Sequence, residues 1–592
     1  MTPESPFTPK PSFPSAAPVW ADRASAAALA AVLLVGVVTG LWGIRWGLPG
    51  RARLRAYPES LRLDPQASQR FAESWEKLYQ EIRRAHSEMH SEEPVTYVKG
   101  VEEFSPGWNF PPGNLVNSYR ALLLQSENPD EKKSFIILSQ MRPWRLEFKP
   151  LYVQYGGSFI YPLGVFVKAA SWLGGFAVVP DIRHYLTHPE DMGSAYLSGR
   201  LFILVFQLGS LWVLYDLGRR LAGWRAGLCA ALFFALSPIV AVNSHLIKPH
   251  CYAAFWCLAA VRYAVLALTK GRGREYLLCG LCLGVAMGAN FTFLAFTAIL
   301  PWLWWWRWKS GAAAPEEIRR AVAALAAAAA VCLLLNPYLL LSYRDFAWEM
   351  AYARRSRWSL ENMATVLREL FNGMGPVVSV VSLLGLAAAF RAGQAKRFLA
   401  LLFVGTFFIL WMVLAQFSGG FVTMSRYYYP CVGLACLIAA IGITEPCPRA
   451  AKILVLSLAL ADGGLRCVTH LDNMRLGSGP RSTRFEAAAW IDSHIPLGAT
   501  VGLTRYPEPA HTPPFRYDLY RLIVFESPGF LAPGHEPEYI VVDEESRPIL
   551  QEGWAKGKYV EFRVFRPLSL GWARVLDSSF YANTGMYVYK RL

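Results

Sequence analysis

Cysteine is missing from the two longest polar stretches of this chain, residues 48–193 and 468–592. Neither stretch can therefore be built on a disulfide framework of its own. Most of the 10 cysteines lie in or beside apolar stretches, where a small apolar side chain explains them better than a metal site does. Cys279-Gly-Leu-Cys282 has the spacing of a zinc site but lies in an apolar stretch without a second pair, so we assign no metal ligands there.

Charged residues are also scarce, at 17% against 54% hydrophobic residues, which indicates that most of the chain lies in lipid. Apolar stretches of about 17 to 25 residues qualify as membrane helices. The sequence therefore predicts a mainly α protein, a polytopic transmembrane bundle of about 11 spans. The apolar stretches lie near residues 24–47, 194–218, 223–244, 250–269, 276–290, 292–308, 319–341, 372–390, 397–416, 427–444 and 452–467.

The first apolar stretch is too long for a removable signal peptide and lacks a small-residue cleavage site, so we expect it to be retained. The fifth and sixth stretches are short and meet at Asn290, which predicts either a tight helix pair or a broken helix. Ionisable residues are nearly absent from the middle of the spans, where only Asp216 and Arg262 come close. Because transporters usually carry such residues, this scarcity disfavours a transporter.

The net charge of +16 is unevenly spread, and its distribution predicts the orientation of the chain. Short loops rich in Lys and Arg stay in the cytoplasm, whereas long loops cross largely regardless of charge. If the spans alternate, every basic short loop falls on one side: 219–225, 270–274, 307–320, 391–397 and 449–452. We therefore expect a multi-pass protein of the cell membrane, with a cytoplasmic N-terminus and with the loop 48–193 and the tail on the external face.

Three regions follow from this topology. Residues 1–20 are rich in Pro, Ser and Thr and predict a disordered cytoplasmic leader. Residues 21–467 form the transmembrane domain, which includes the large first external loop, 48–193. Residues 468–592 predict a small external α/β domain, because an amphipathic helix at 484–494 is followed by short β-branched runs at 499–503 and 539–543.

The first external loop contains two helical patterns. Residues 66–88 have apolar side chains at helical spacing with charges between them, which predicts an amphipathic helix. Residues 159–176 are apolar, but counting them as a span would place the later basic loops outside. We therefore interpret this stretch as a helix that lies along the external face of the membrane.

Two adjacent carboxylates follow a proline in this loop, in Asn128-Pro129-Asp130-Glu131. Acidic residues after proline are favoured in the first turn of a helix because they complement the helix dipole, which is the simplest interpretation. An acid beside the membrane can also act on a substrate with one lipid end and one polar end. The local sequence leaves both interpretations open.

Further motifs follow in a fixed order along the chain, and Thr483-Arg-Phe-Glu-Ala-Ala-Ala-Trp-Ile491 continues the series in the tail. Together with the succession of span, large external loop, interfacial helix and paired spans, this order resembles the C-type membrane glycosyltransferases that depend on polyprenyl-phosphate sugars. That superfamily includes protein O-mannosyltransferases and aminoarabinose transferases, and the resemblance covers about residues 24–445. The motifs are Asn128-Pro-Asp-Glu131, Gly199-Arg-Leu201, Gly218-Arg-Arg-Leu-Ala-Gly223, Ser237-Pro238, Lys248-Pro249, Asn336-Pro-Tyr338 and Arg426-Tyr-Tyr-Tyr-Pro430.

The resemblance implies transfer of a sugar from a polyprenyl-phosphate-linked donor to a glycan, lipid or protein acceptor on the external face. It implies that Asp130 is the general base, and Glu131 is a second catalytic candidate. A lipid-phosphate leaving group needs cations, so Arg426, Lys248 and Arg200 are candidate phosphate ligands. His250 and Tyr155 are two further candidate substrate-binding residues. We expect no cofactor and assign no metal ligand, and the sequence leaves a dependence on divalent metal open. As further partners we expect membrane lipids but no nucleic acid.

The chain departs from the family pattern at three places. Lys248-Pro249-His250 stands where many relatives have an acidic residue, and Asn290 stands where many have a lysine. Tyr57-Pro58-Glu59 lies nearer to the first span than Asp130 does, so Glu59 remains an alternative base. The alternatives to an enzyme are a transporter or lipid flippase and a non-catalytic relative in cell-envelope assembly.

Overall fold

The computed structural model is predominantly helical and carries one small mixed sheet. It describes residues 23–59, 61, 65–87, 100–150, 155–353, 359–416, 424–444, 448–477, 479–525, 529, 531, 534–551, 555–568 and 581–592. The expected leader at residues 1–20 therefore lies outside the described residues. The predicted fold class, a bundle of apolar helices with a small sheet domain near the C-terminus, is confirmed.

The first span and the first loop contain helix α1 (Arg23–Leu41), α2 (Pro65–Ser87), strand β1 (Val101–Phe104), α3 (Leu115–Leu124), α4 (Glu131–Ser139), α5 (Gly157–Gly174) and α6 (Ile182–Thr187). The bundle continues with α7 (Pro189–Ala222), α8 (Trp224–Ala235), α9 (Pro238–Asn243), α10 (Pro249–Lys270), α11 (Gly273–Ala289), α12 (Ile299–Lys309), α13 (Ala314–Leu335), α14 (Tyr338–Leu341), α15 (Tyr343–Ala353), α16 (Leu360–Met374), α17 (Pro376–Arg391), α18 (Gln394–Leu414), α19 (Tyr429–Thr444) and α20 (Arg449–Gly477).

The tail contains α21 (Thr483–His494), β2 (Thr500–Leu503), β3 (Arg521–Phe525), β4 (Tyr539–Asp543), β5 (Tyr559–Phe565) and β6 (Met586–Arg591). Short 3₁₀ helices lie at Arg51–Ala56, Pro143–Arg145, Phe291–Ala298, Ser425–Tyr428, Tyr517–Leu519 and Arg547–Gln551.

Six helices among the described residues are long and apolar enough to cross a membrane, or up to 7 if the bent pair α16 and α17 is counted as one span. These two helices meet at 110°. The six are α1, α7, α10, α13, α18 and the helix at 425–444. The other predicted stretches also form helices, but α8, for example, has only 12 residues. The predicted count of about 11 is therefore not confirmed by helix length and composition.

Small residues let the bundle helices approach closely. Gly280 and Gly284 of α11 lie against Ala324 and Ala328 of α13, and a Cβ added at Gly284 would come within 2.6 Å of the Ala328 carbonyl oxygen. In lipid, helices associate through such close packing because the lipid chains are as apolar as the side chains. Asn290 divides the fifth and sixth predicted stretches, since its side chain accepts a hydrogen bond from the Thr292 amide and starts a 3₁₀ helix.

The sheet is not built from the tail alone. Its strand order is β1-β3-β2-β4-β6-β5, and the edge strand β1 comes from the first loop, where it pairs antiparallel with β3. β2 lies parallel to both β3 and β4, and β6 lies antiparallel to β4 and β5. The predicted strand at 539–543 matches β4, and the predicted helices at 66–88 and 484–494 match α2 and α21.

The first loop and the tail share one hydrophobic core. Phe71 of α2 stacks on Tyr119 of α3 at a ring-centroid distance of 3.9 Å, and both belong to the buried cluster that contains Ala488 and Ile491 of α21. The boundaries predicted at 48–193 and 468–592 therefore separate two segments that pack as one body beside the helix bundle. Polar residues of the first loop are consequently held in place by the tail.

We predict that a cysteine at Arg272, in the short basic turn before α11, is labelled only from the cytoplasmic side. A cysteine at Lys556, in the tail, should be labelled only from the opposite side, because short basic loops stay in the cytoplasm. Both positions are exposed, whereas the nine native cysteines among the described residues are buried and give little background. Labelling of both positions from one side by a membrane-impermeant maleimide would contradict the topology.

Candidate functional site

Asp130 stands immediately before α4, and its side chain does not cap that helix. The Asn128 side chain instead accepts a hydrogen bond from the Asp130 amide at 3.0 Å, which closes the turn after Pro129. Glu131, the next residue, is the first of α4. Successive side chains at a helix start diverge by about 100°, so the two carboxylates face different surroundings.

The Asp130 carboxylate contacts cations from two other segments of the chain. The Lys248 ammonium, which lies just before α10, donates a hydrogen bond to Asp130 Oδ2 at 2.6 Å. An Arg426 guanidinium nitrogen, in the 3₁₀ turn before α19, lies 3.5 Å from the same oxygen. Lys133 lies one helical turn away, at 3.9 Å from Oδ1. Three predicted site residues, Asp130, Lys248 and Arg426, therefore meet in one place.

Exposure differs within this cluster. The Asp130 side chain is 28% exposed, whereas those of Lys248 and Arg426 are 4% and 10% exposed. Burial raises the pKa of Asp130, but the charges of Lys248, Arg426 and Lys133 outweigh burial, so this pKa lies well below its ordinary value. Asp130 is thus a carboxylate at neutral pH. One carboxylate against three cations leaves two positive charges in excess, and such a site attracts an anion.

Glu131 and Arg200 form a separate, fully buried pair. Arg200 Nε and a terminal nitrogen donate to the two Glu131 oxygens at 3.0 and 2.7 Å. The Ile247 amide and the Ser126 hydroxyl also donate to Glu131, at 3.0 and 2.6 Å. The remaining Arg200 nitrogen donates at 2.7 Å to the carbonyl groups of Ile44 and Trp46, beyond the end of α1. Both groups already have protein partners, so this geometry suits a structural clamp better than contact with a substrate.

His250 and Tyr155 lie beside the Asp130 cluster. The His250 ring is buried edge-on against Tyr427, with ring centroids 4.6 Å apart, and neither ring nitrogen has a hydrogen-bond partner among the described residues. Burial raises the pKa of Tyr155 well above its ordinary value, and the negative charge of Asp130 raises it further, while Arg426 opposes the shift. Both side chains are therefore electrostatic neighbours of Asp130 and Arg426.

The structure places Lys248 and Arg426 beside Asp130 and not beside Glu59. Glu59 is exposed and its charge acts on Arg516 of the tail, whereas Lys248 and Arg426 contact Asp130. Of the three carboxylates that the sequence offered, Asp130, Glu131 and Glu59, Asp130 is therefore the one that contacts both Lys248 and Arg426.

The sequence marked the segment that contains Arg484, but it gave no role to the residues that hold the tail against the site. Glu127, one residue before Asn128, accepts hydrogen bonds from Arg484 of α21 at 2.9 Å and from Arg53 at 3.4 Å, and all three side chains are buried. Arg484 also donates to the Tyr581 carbonyl oxygen at 2.7 Å. Burial raises the pKa of the Tyr581 hydroxyl, and the charges of Glu545 and Asp130 raise it further. The Tyr581 hydroxyl is thus within electrostatic range of both Glu545 and Asp130.

We predict that Glu131→Gln destabilises the protein by about 3 to 5 kcal/mol, because it leaves the Arg200 charge buried without its partner. Adding Arg200→Met should recover part of this loss, since the unpaired charge is then gone. Unfolding of the detergent-solubilised protein, followed by its melting temperature, measures both effects. Arg475→Gln, which breaks an exposed ion pair with Asp472, is the matched control and should change the melting temperature little. Equal effects of Glu131→Gln and Arg475→Gln would contradict the clamp.

Comparison with known proteins gives one match to a family model and several likenesses of fold. Residues 192–340 match the model of the dolichyl-phosphate-mannose-protein mannosyltransferases. No curated protein sequence matches the chain. Among solved structures, ArnT from Cupriavidus metallidurans bound to undecaprenyl phosphate is 14% identical, with 78% of this chain and 93% of that chain covered and a TM-score of 0.39.

Two structures of an archaeal oligosaccharyltransferase are also similar. The apo form of the Archaeoglobus fulgidus enzyme is 12% identical, covers 79% of this chain and 76% of its own, and gives a TM-score of 0.41. AglB from the same organism, in complex with an inhibitory peptide and a dolichol-phosphate, is 11% identical, covers 79% and 72%, and gives 0.41. The matched segment 192–340 contains Arg200, Lys248 and Asn336, so the resemblance expected from the sequence is confirmed there: this part of the chain is similar to the dolichyl-phosphate-mannose-protein mannosyltransferase family.

Proposed function

We propose that the protein is a membrane glycosyltransferase that moves a sugar from a polyprenyl-phosphate-linked donor to an acceptor hydroxyl, with Asp130 as general base. One observation carries the proposal: the partly exposed Asp130 carboxylate contacts two covered cations, Lys248 and Arg426, which come from distant segments. The match of residues 192–340, which include Lys248, to a sugar-transferase family supports the same reaction class.

The residues of this cluster suit both parts of such a transfer, the activation of the acceptor hydroxyl and the departure of the lipid phosphate. An acceptor hydroxyl is a poor nucleophile, and a positioned carboxylate accepts its proton as the bond to the anomeric carbon forms. The bond from the anomeric carbon to the phosphate oxygen breaks, and the lipid phosphate departs with the electron pair. Lys248 and Arg426 stabilise the negative charge on the departing phosphate, so the leaving group needs no proton donor.

Donor binding also strengthens the base. In the free protein the cations hold the pKa of Asp130 well below its ordinary value, which makes the carboxylate a weak proton acceptor. A bound phosphate competes for Lys248 and Arg426, so part of their charge no longer acts on Asp130. Its pKa then rises towards the ordinary value, and Asp130 becomes a better base only when the donor is present.

The proposed reaction takes place on the external face, at the end of the bundle opposite the basic short loops. Nucleotide-sugars stay in the cytoplasm and do not reach this face. The activated sugar must therefore arrive on a lipid carrier that crosses the membrane. The polyprenyl chain lies among the spanning helices while the phosphate reaches Lys248 and Arg426. The acceptor, a glycan, lipid or protein, approaches from the side of the first loop and the tail.

The ionisable residues inside the spans favour this enzyme over a transporter. Asp216, near the end of α7, pairs with Arg262 at 2.8 Å and with Arg220 at 2.7 Å. Arg262 also lies over the Trp212 ring, with its guanidinium carbon 5.2 Å from the centroid. Asp216 also lies 3.5 Å from Arg219, so this carboxylate ties the end of α7 to α10, which is a packing role.

We predict that Asp130→Asn lowers kcat about 100-fold or more, the usual contribution of a general base, while the protein still folds and binds donor. The measurement is sugar transfer from synthetic polyprenyl-phosphate-mannose, within a panel of hexose and pentose donors, with nucleotide-sugars as the negative control. Glu59→Gln is the matched variant and should keep wild-type activity. Loss of transfer in Glu59→Gln but not in Asp130→Asn would move the active site to the other end of the loop. Full activity of both variants would show that neither carboxylate is the base, and no transfer by the wild type from any donor of the panel would support a non-catalytic relative.

Arg426→Ala should chiefly weaken donor binding, because a lost charged contact to phosphate costs roughly 1.5 to 3 kcal/mol. This cost corresponds to about a 10- to 150-fold increase in the donor dissociation constant. Arg183→Ala, which removes an exposed arginine of the first loop, is the control and should leave donor binding unchanged. Equal affinities for all three proteins, measured by titration in detergent, would rule out Arg426 as a phosphate ligand.

The acidic limb of the pH profile tests the activation of the base by the donor. The profile of kcat/KM for the donor reports the free protein, in which the pKa of Asp130 is lowered, whereas kcat reports the bound complex. Activity should therefore fall with decreasing pH at a higher pH in the kcat profile than in the kcat/KM profile. Coincident acidic limbs would contradict the competition of phosphate for Lys248 and Arg426.

A further inference from the structure

The tail carries a second cluster of titratable residues at one edge of its sheet. His511 lies in the connection between β2 and β3, Asp543 is the last residue of β4, and Glu545 follows two residues later. Because β2 and β4 are parallel neighbours, their carboxyl ends lie at the same edge, where α/β sheets commonly bind ligands. One ligand atom from each side chain lies within 4.8 Å of the others.

The distances within this cluster suit a metal ion. A tetrahedral centre with bonds of about 2.1 Å places its ligand atoms about 3.4 Å apart. His511 Nδ1 and Glu545 Oε2 are 3.4 Å apart, and Nδ1 and Asp543 Oδ2 are 2.6 Å apart, joined by a hydrogen bond. A metal ion would replace the proton of that hydrogen bond. The distance between Nδ1 and Oδ2 would then increase by less than about 1 Å.

A fourth residue supplies the support that a metal-bound histidine needs. A histidine that binds metal through one ring nitrogen almost always donates its other N–H to a carboxylate, carbonyl or water. His511 Nε2 faces the buried Glu508, with 3.7 Å between Nε2 and Oε1. Nδ1 and the Asp543 carboxylate share a hydrogen bond in the metal-free state. A metal ion at Nδ1 would take the place of the hydrogen atom, and an N–H at Nε2 would then face Glu508.

The charge and accessibility of the cluster agree with a divalent cation. Glu508, Asp543 and Glu545 carry three negative charges, and Arg505, which lies 3.6 Å from Glu508, neutralises one. Asp543 is anchored by the Ser546 amide at 2.8 Å, and both Asp543 and His511 are buried. The Glu545 side chain is 49% exposed and leaves an entry path from solvent.

We propose that His511, Asp543 and Glu545 bind a divalent transition-metal ion of the zinc class, with Glu508 as the outer carboxylate. An imidazole with two carboxylates favours zinc over Mg²⁺ and Ca²⁺, which prefer ligand sets made only of oxygen. The ion would lie near Tyr581, since the His511 and Tyr581 rings are 5.5 Å apart. It would fix the edge of the tail that faces the first loop, whether or not the proposed transfer reaction takes place.

Zinc binding by the full-length protein in detergent tests this site. After removal of metal with a chelator and addition of zinc, the wild type should retain one zinc ion per chain through gel filtration, as measured by elemental analysis. Glu545→Gln changes an exposed ligand and should weaken zinc binding at least about tenfold, and Glu508→Gln should weaken it about 10- to 100-fold. Glu544→Gln is the matched control, because Glu544 accepts from the Tyr587 hydroxyl instead.

X-ray absorption at the zinc edge identifies the ligand atoms, and only nitrogen and oxygen neighbours are expected. Unchanged melting temperatures of the metal-free variants would confirm that each one folds. Three outcomes would overturn the proposal: no retained zinc in the wild type, equal zinc affinity of Glu545→Gln and Glu544→Gln, or sulfur neighbours, which would place the ion at cysteines. Mg²⁺ in excess should not displace the zinc, and displacement would contradict the assigned ligand chemistry.

Discussion

The buried pair of Glu131 and Arg200 is the interaction on which the geometry of the site depends. Two opposite charges removed from water are tolerated only if their remaining hydrogen-bonding capacity is also used, and here backbone groups use it. Carbonyl groups beyond α1, an amide beside Lys248 and the Ser126 hydroxyl all converge on the pair. The first loop, α1, α7 and the approach to α10 are thereby fixed relative to one another, and the direction of Asp130 is fixed with them.

Three carboxylates within five residues contact three separate sets of cations. Glu127 binds Arg484 of the tail, Asp130 contacts Lys248 and Arg426, and Glu131 binds Arg200. The proline turn makes this division possible, because Asn128 closes it through the Asp130 amide and so leaves the Asp130 side chain free to point away from its own helix. The loop is therefore a junction between bundle and tail as well as the carrier of the proposed base.

Two clusters of opposite net charge lie at this junction. The Asp130 cluster has an excess of positive charge, whereas the cluster around His511 and Asp543 has an excess of negative charge, and the Tyr581 side chain is influenced by both. An anion such as a lipid phosphate is attracted to the first cluster and a metal cation to the second. The proposed donor site and the proposed metal site can therefore be occupied together without competing for the same protein groups.

The sequence by itself determined the elements and the candidate residues, because both are written in local patterns. Apolar stretches predicted the helices, β-branched residues predicted β4, and the adjacency of a proline to two carboxylates marked Asp130 and Glu131. Only the tertiary structure decided which carboxylate meets the cations, since Asp130 and Lys248 are 118 residues apart and their contact depends on how α4 and α10 pack. The same holds for β1, which pairs with β3 so that Val101 lies opposite Phe525. It holds also for His511 and Asp543, which no spacing rule connects. The spacing of apolar residues predicts which side chains are buried, because it depends only on neighbours along the chain. The partners of a long-range ion pair depend on how distant segments pack, and the sequence pattern does not contain that information.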